Sequence, residues 1–321
     1  MRQRPREHTM YVAGAETLIG SALLRQLDRR GYSGVVGRPG DAPDLTDADQ
    51  VEAFFSRTSP EYVFLAAGKS GGIRANQRHP AELMRHNLLV ACHVIGSAAR
   101  HGAKKLLYLA SSCCYPKHCP QPMAEASLMT GPLEPTSEAY AVAKLAGLSL
   151  CQAYRRQYGT PFISGIPADI FGPGDDFDPD DAHVVAALIR RMHEAKVQGT
   201  PSVAVWGSGT PRREFLFADD LADACLFVME RYEGEEPINL GGGAQLSIRE
   251  VAALIQDVVG YRGDVRYDTS QPDGMPVKWL DASRLTSMGW KAATPVRDAL
   301  AATYQAFLDR EEQVAESRSR A

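Results

Sequence analysis

The feature that most limits the fold of this chain is its first apolar segment and the turn that follows. Residues 9–13 form that segment and lead through Gly14 and Gly20 into a run rich in Ala, Leu and Arg. Gly14 permits a tight turn, and Gly20 lets the following helix lie close to the strand. Thr17 stands where such turns usually carry a middle glycine. We predict the opening βαβ unit of a dinucleotide-binding domain, with a plain strand-to-helix turn as the alternative.

Four further apolar segments indicate the rest of a sheet; they are residues 35–37, 62–68, 105–110 and 162–170. Short, almost continuously apolar strands are typical of parallel sheets covered by helices on both faces. Long helices are predicted over 80–101 and 137–158. The predicted fold class is therefore α/β: a Rossmann-type doubly wound parallel sheet with a smaller C-terminal substrate-binding domain.

The predicted domain boundaries follow the Pro- and Gly-rich exits from the sheet. Residues 9–176 and 215–243 form the dinucleotide-binding domain, and residues 177–214 and 244–310 form the substrate-binding domain. Residues 1–8 and 311–321 are expected to be flexible tails.

Local signals mark several helix ends. Asp44 or Thr46 is expected to cap a helix that runs through Phe55. Ser247 and Glu250 have the spacing of a capping box. The last helix is predicted over residues 296–310.

Composition excludes several classes of protein. The net charge is −4 and no basic stripe appears, which argues against a nucleic-acid partner. No apolar run approaches the roughly 18 residues that a membrane helix needs, and the Arg-rich start lacks the apolar core of a secretory signal. The six cysteines have no spacing typical of disulfides or zinc sites. We expect no metal and a reducing cytoplasm.

Arg38 follows the second predicted strand, where an adenosine ribose is usually recognised. An acidic residue there would hold the 2′-hydroxyl of NAD, whereas an Arg accommodates the 2′-phosphate of NADP. Arg38 therefore favours NADP(H), with NAD(H) as the alternative cofactor and a solvated surface Arg as the alternative interpretation.

Tyr140 and Lys144 share one face of the helix predicted over 137–158. An ammonium one turn away is expected to lower the pKa of the Tyr140 hydroxyl, so that it exchanges protons with a carbonyl oxygen. Two helix residues spaced so by chance are the alternative.

A polar run, Ser111–Ser112–Cys113, follows the strand predicted over 105–110. Ligands of open α/β sheets bind outside the carboxyl ends of strands, so a serine here could hydrogen-bond a substrate oxygen. Cys113 is either buried structure or an acid–base group.

These residues lie within a longer series of stretches that resembles the extended short-chain dehydrogenase/reductase family. The resemblance is strongest to its branch of 3,5-epimerase-4-reductases of GDP-4-keto-6-deoxymannose, and it spans about residues 10–310. Besides those already named, the resembling stretches are residues 69–73, 111–117, 131–136, 167–174, 174–179, 206–211, 213–216, 272–274 and 280–281.

The resemblance implies a role for each of five catalytic residues. Tyr140 would be the acid at O4, Lys144 would tune it and hold the nicotinamide ribose, and Ser111 would bind the 4-keto oxygen. Cys113 and His183 would form the epimerisation pair, since inverting C3 and C5 requires a base and an acid on opposite faces of the sugar.

The resemblance also implies two sets of binding residues. The cofactor set is Gly14, Thr17, Gly20, Arg38, Ser112, Lys144, Pro167, Asp169 and Ile170. The substrate set is His183, Arg191, Trp206, Arg213, Asp273 and Lys278. Arg191, Arg213 and Lys278 could neutralise the substrate pyrophosphate.

Three departures from the family pattern concern the cofactor. Thr17 replaces the middle glycine, Glu16 and Gly40 replace arginines that some members place near the 2′-phosphate, and Asp169 replaces the usual Asn. An acidic Glu16 near a phosphate is unfavourable, which keeps NAD(H) open.

The implied reaction is NAD(P)H-dependent conversion of GDP-4-keto-6-deoxymannose to GDP-L-fucose, by 3,5-epimerisation and then 4-keto reduction. The alternatives are a 4-ketoreductase or an epimerase of the same family that acts on a different GDP- or other NDP-deoxysugar, or a cofactor-binding regulatory protein without catalysis. The resemblance further implies a homodimer through helices 80–101 and 137–158.

Overall fold

The computed structural model describes residues 8–178, 182–271 and 273–320, without the side chains of residue 73 and residues 318–320. The predicted tail over residues 1–8 therefore lies, except for His8, outside the described residues. The strands are β1 (Met10–Ala13), β2 (Val35–Val36), β3 (Tyr62–Leu65), β4 (Lys105–Leu109), β5 (Phe162–Pro167), β6 (Asp169–Phe171), β7 (Ser202–Trp206), β8 (Arg212–Phe217), β9 (Ile238–Leu240), β10 (Ala244–Ser247), β11 (Asp264–Asp268) and β12 (Val277–Lys278). The α-helices are α1 (Leu18–Arg29), α2 (Ala48–Thr58), α3 (Ile73–Arg78), α4 (Pro80–Arg100), α5 (Glu138–Tyr158), α6 (Val184–Gln198), α7 (Ala218–Arg231), α8 (Ile248–Val259), α9 (Ser283–Ser287) and α10 (Val296–Arg320).

The central sheet has six strands in the order β2-β1-β3-β4-β5-β9, and each pair of neighbours is parallel. The residues of β1, β4 and β5 are all buried, as continuous apolar strands covered on both faces should be. The prediction of an α/β fold with a Rossmann-type parallel sheet is confirmed.

The helix caps agree with the sequence in one case and differ in another. Ser247 and Glu250 form the expected capping box at the start of α8. The cap of α2 is Asp47, so the expectation of Asp44 or Thr46 was wrong. Asp44 instead accepts hydrogen bonds from the backbone and hydroxyl of Thr46, which leaves Asp47 to accept from the first helical N–H groups.

A second group of strands lies beside the central sheet. β8 pairs with β10 in the antiparallel sense and with β6 and β12 in the parallel sense, and β7 pairs with β11. The single strand predicted over 162–170 is in fact two strands, because β5 pairs with β9 whereas β6 pairs with β8. The chain thus passes from one sheet to the next at Ala168.

The apolar core forms two clusters. One surrounds the central sheet, and the other lies among α6, α8, α10 and the strands that they cover. Leu280, Leu285 and Trp290 belong to the first cluster, although the predicted boundaries placed them in the second domain; those boundaries remain a prediction. α10 continues to Arg320, past the end expected at Arg310. Among the described helices, none combines the length and the apolar character of a membrane span.

Candidate active site

The turn between β1 and α1 is closed by Thr17 in place of a glycine. Its hydroxyl donates to the Gly14 carbonyl at 2.8 Å and accepts from the Gly20 N–H at 3.0 Å. Gly14 has φ +90°, and a Cβ there would lie 2.5 Å from the Ala67 Cα. A Cβ on Gly20 would lie 1.8 Å from the Gly14 carbonyl oxygen. The turn therefore requires both glycines, and it leaves the positive end of α1 at the carboxyl end of β1, where a pyrophosphate binds.

Lys144, on α5, is buried with only 6% of its surface exposed. Its Nζ donates to the carbonyls of Leu109 at 3.2 Å and Ala67 at 3.4 Å. An ammonium has three donors, so the acceptors present in the described chain leave one donor for a ribose hydroxyl. Burial lowers the pKa of Lys144 to about 8. The glycine turn and this ammonium both fit a dinucleotide.

Tyr140 lies one helical turn before Lys144 on α5, and the Lys144 Nζ is 6.0 Å from the centre of its phenol ring. Desolvation, and then the neighbouring Cys113, raise the pKa of Tyr140, while a hydrogen bond with Ser111 lowers it; the net shift is upward. The expectation of a lowered pKa is thus wrong for the structure as it stands. Desolvation is the largest cause of the shift, and burial also lowers the pKa of the neighbouring Lys144. The phenol is protonated at neutral pH, which suits a proton donor.

A short 3₁₀ turn after β4 positions the serines and cysteines. The Ser111 hydroxyl caps it by accepting from the Cys113 N–H at 3.2 Å. Ser112 is 5% exposed. Cys114 is fully buried, which raises the pKa of its thiol to about 12. Cys113, in contrast, is partly accessible and lies 3.9 Å from the Lys278 Nζ.

His183 occupies the N-cap position of α6 and makes no capping hydrogen bond with its side chain. The residue has exposed surface, yet neighbouring protein atoms desolvate its imidazole ring. That desolvation lowers the pKa of His183; Lys278 adds to the effect and Asp169 opposes it. A neutral imidazole therefore shares Lys278 as a neighbour with Cys113.

Asp169 and Lys278 form an ion pair that was not predicted from the sequence. Asp169 begins β6, Lys278 ends β12, and the Oδ1 and Nζ atoms lie 2.9 Å apart. Desolvation alone would raise the pKa of Asp169, but Lys278, Arg213 and His183 outweigh it, so the net shift is downward. The carboxylate assigned to the cofactor thus contacts a cation assigned to the substrate. The other two cofactor residues on this segment, Pro167 and Ile170, lie at the end of β5 and within β6.

The remaining predicted substrate residues lie on α6, β7 and β8 and in the segment between β11 and β12. Arg191 on α6 has its guanidinium carbon 5.6 Å from the ring centre of Trp206. Arg213 on β8 donates to the Met275 carbonyl at 2.7 Å. Asp273 accepts from the N–H and the hydroxyl of Ser208, so it braces the loop after β7.

The surroundings of two arginines, Arg38 and Arg74, differ from the prediction. Arg38 is 45% exposed and paired with Asp28 at 2.5 Å, so any phosphate near Arg38 would compete with a carboxylate. Arg74 on α3 lies 4.2 Å from the ring centre of Trp206. Arg74 was not predicted as a site residue, because no local pattern indicates that a short helix after β3 reaches a strand of the second group.

The sequence model of the NAD dependent epimerase/dehydratase family matches residues 10–241. The chain belongs to that family. The match to the NAD dependent epimerase/dehydratase family includes the turn at Gly14 and the segments that carry Ser111, Tyr140 and His183, and it ends before Lys278.

Named relatives extend the similarity beyond that match. The chain is 50% identical to GDP-L-fucose synthase 1 of Arabidopsis thaliana over 299 residues, which cover 93% of each chain. It is 45% identical to the GDP-L-fucose synthase of Escherichia coli K12 over 313 residues, which cover 95% of this chain and 98% of that one. The crystal structure of a GDP-L-fucose synthetase from Naegleria fowleri bound to NADP is similar with a TM-score of 0.89 and 28% identity, over 97% of each chain.

Proposed function

We propose that this chain is an NADP(H)-dependent epimerase-reductase that converts GDP-4-keto-6-deoxymannose to GDP-L-fucose. The observation that carries the proposal is the convergence of Tyr140, Ser111 and Cys113 with two groups from outside the central sheet. These are His183 at the start of α6 and Lys278 on β12. A simple reductase needs only Tyr140 and Ser111. The relatives that are 50% and 45% identical over most of the chain bear the name of this activity.

In the epimerisation, a proton must leave the carbon next to the 4-ketone and return on the other face of the ring. Cys113 is proposed to remove the proton, and Lys278 stabilises negative charge on its sulfur from 3.9 Å. His183, at the start of α6, is proposed to return a proton. Ser111 holds the ketone oxygen, on which charge accumulates as each proton leaves.

In the reduction, Tyr140 gives its proton to O4 as the alkoxide forms, and its raised pKa keeps that proton in place until then. Reduced nicotinamide, when bound, supplies the hydride. The turn at Gly14, Thr17 and Gly20 would hold its pyrophosphate, and Lys144 its ribose. Arg38 favours NADP(H), which is also the cofactor bound in the Naegleria fowleri structure.

The proposed setting is a cytoplasmic homodimer. All six cysteines are free, which agrees with a reducing compartment. α4 and α5 lie against each other, and Val142 on α5 is 37% exposed; two copies of this helix pair could join as a bundle. Multi-angle light scattering should give twice the mass of the 34.9 kDa chain, and a monomer at working concentration contradicts the proposal.

The test of the reaction is incubation of the protein with GDP-4-keto-6-deoxymannose and NADPH in deuterated water. We expect NADPH oxidation and a GDP-L-fucose that carries deuterium at C3 and C5. Reduction without deuterium would identify a simple 4-ketoreductase. Deuterium incorporation without NADPH oxidation would identify an epimerase. If NADPH is not oxidised and no deuterium is incorporated, both activities are refuted.

A further inference from the structure

Asn239 is a buried amide on β9, the last strand of the central sheet, and it contacts three separate segments of the chain. Its exposed fraction is 0%. Its Oδ1 accepts from the Tyr115 hydroxyl at 2.7 Å. Its Nδ2 donates to the carbonyls of Met123 at 2.8 Å and Asp281 at 3.1 Å. The oxygen and both N–H donors of this amide are therefore used.

One of these contacts leads to the catalytic turn. Tyr115 directly follows the 3₁₀ turn of residues 112–114, two positions after Cys113, and is 2% exposed. Burial raises the pKa of Tyr115, so its hydroxyl keeps the proton that it donates to Asn239. The amide of Asn239 thus anchors the end of the turn that carries Cys113.

The other two contacts lead to the strand that carries Lys278. Met123 donates its N–H to the Trp279 carbonyl and accepts from the Asp281 N–H, each at 2.9 Å. Asn239 donates to this same Met123 carbonyl and to the Asp281 carbonyl. Lys278 is the last residue of β12 and precedes Trp279, so Asn239 also fixes the backbone next to Lys278.

The two anchored segments meet at the sulfur of Cys113. The Lys278 Nζ lies 3.9 Å from that sulfur and 2.9 Å from the Asp169 Oδ1. Desolvation would lower the pKa of Lys278, but Asp169 and Cys113 outweigh it, so the net shift is upward and the ammonium stays charged. The attraction between an ammonium and a thiolate weakens as their distance grows. A displacement of either segment therefore changes how strongly Lys278 acts on Cys113.

We propose that Asn239 is a positioning residue that sets the separation between the Cys113 thiol and the Lys278 ammonium. It acts through Tyr115 on the thiol and through the backbone of residues 279–281 on the ammonium. The inference rests on the proposed function for the task of this pair in epimerisation. An amide is required here, because a carboxylate could not donate to the two carbonyls and an apolar side chain could not accept from Tyr115.

Replacement of Asn239 leaves several buried groups without partners, which destabilises the fold as a whole. The experiment therefore uses Tyr115→Phe, which removes one hydroxyl and keeps the ring, with Tyr261→Phe as the matched control. Tyr261 is 4% exposed, belongs to the other core cluster and donates its hydroxyl to the Thr200 carbonyl at 2.9 Å. Each variant loses one tyrosine hydrogen bond, so urea unfolding should show similar shifts in midpoint.

The two variants should differ in the rate at which deuterium enters C3 and C5 of the keto sugar. Tyr115→Phe should lower kcat for this exchange by about tenfold to 10²-fold and leave the KM unchanged, because a displacement of about 1 Å has effects of that size. Tyr261→Phe should exchange at the wild-type rate.

Alkylation of Cys113 by iodoacetamide, followed by tandem mass spectrometry without substrate, tests the geometry apart from the reaction. The reagent attacks the thiolate, so Tyr115→Phe should slow alkylation severalfold and Tyr261→Phe should not. Lys278→Met removes the ammonium and provides the reference. Adding Tyr115→Phe to Lys278→Met should cause no further slowing, because no charge is left to displace.

Equal alkylation of wild type and Tyr115→Phe overturns the inference. An effect of Tyr115→Phe that persists in Lys278→Met also overturns it, because a general loosening of the turn would then be the cause. Wild-type deuterium exchange in Tyr115→Phe would contradict the role in epimerisation. If alkylation depends on Tyr115 only while Lys278 is present, but the wild-type protein exchanges no deuterium, the inference about the pair stands and the proposed reaction fails.

Discussion

At the scale of residues, the site places a phenol and a thiol with different tasks close enough to influence one another. Cys113 contributes to the raised pKa of Tyr140, and Ser111 interacts with both residues. Reduction needs a proton for O4, whereas epimerisation needs proton transfer at C3 and C5. The two reactions should therefore separate when single side chains are changed.

Tyr140→Phe is expected to abolish NADPH oxidation but still to let solvent deuterium enter C3 and C5 of the keto sugar. Cys113→Ser should do the reverse: deuterium entry slows by at least roughly 10²-fold, the usual effect of losing a positioned acid–base group, while direct reduction continues. Mass spectrometry and NADPH absorbance give both readouts. His183→Asn should also slow exchange. Wild-type exchange in both Cys113→Ser and His183→Asn would mean that neither residue takes part in epimerisation.

A second prediction concerns the role of Arg38 in the choice between NADPH and NADH. Arg38→Ala should weaken NADPH binding about tenfold, because a charge-assisted contact with the 2′-phosphate is lost, and leave NADH binding nearly unchanged. Asp28→Asn is the complementary variant: it removes the carboxylate that pairs with Arg38 and should strengthen NADPH binding. Fluorescence titration of both cofactors measures these effects. An equal response of NADPH and NADH would make Arg38 a surface residue only.

At the scale of helices and strands, the sequence predicts the features that depend on residues close together in the chain. The capping box of Ser247 and Glu250 and the apolar strands of the central sheet are written in local spacing, and both are present. The Asp169–Lys278 pair was not predictable, because its members are 109 residues apart and meet only through the pairing of β6 and β12 with β8. The pKa of Tyr140 was assigned the wrong direction for the same reason, since desolvation depends on tertiary contacts.

Glu214 shows how one side chain joins several elements. It lies on β8 with 2% of its surface exposed and accepts from the backbone N–H groups of Gly242, Gly243 and Leu280. Glu214→Ala leaves these three donors without their acceptor, at roughly 1–3 kcal/mol each. We expect a loss of about 3 kcal/mol or more in urea unfolding. Glu236→Ala, which breaks an exposed pair with Arg284, should cost under about 1 kcal/mol; equal losses would contradict this assignment.

At the scale of the whole molecule, stability should depend on pH through Asp175. This residue is 5% exposed, its Oδ2 has no partner in the described chain, and burial raises its pKa to about 7. In the unfolded chain, the Asp175 carboxyl has its ordinary pKa of about 4. Its contribution to the stability of the folded state is therefore complete below about pH 4 and is lost as the pH rises through about 7. The buried carboxyl is thus easiest to accommodate in acid.

Asp175→Asn is expected to remove that dependence. The variant should gain up to about 4 kcal/mol relative to wild type between pH 4 and pH 8, at about 1.4 kcal/mol per pKa unit. Its amide oxygen can still accept from the Asp176 N–H, as the carboxylate does at 2.9 Å. Urea unfolding at several pH values measures the difference. Asp264→Asn, at an exposed carboxylate far along the chain, is the control, and a difference that does not vary with pH contradicts the prediction.

The passage between the two sheets has a consequence for how this chain can change in length. β5 ends at Pro167 and β6 begins at Asp169, so Ala168 alone links the strand that pairs with β9 to the strand that pairs with β8. Side chains alternate between the faces of a strand. A single inserted residue here would therefore turn the Asp169 side chain away from Lys278, although no residue of the site would be replaced. An insertion or a deletion at Ala168 changes the face on which Asp169 lies, so the number of residues at this position is as much a part of the site as its side chains.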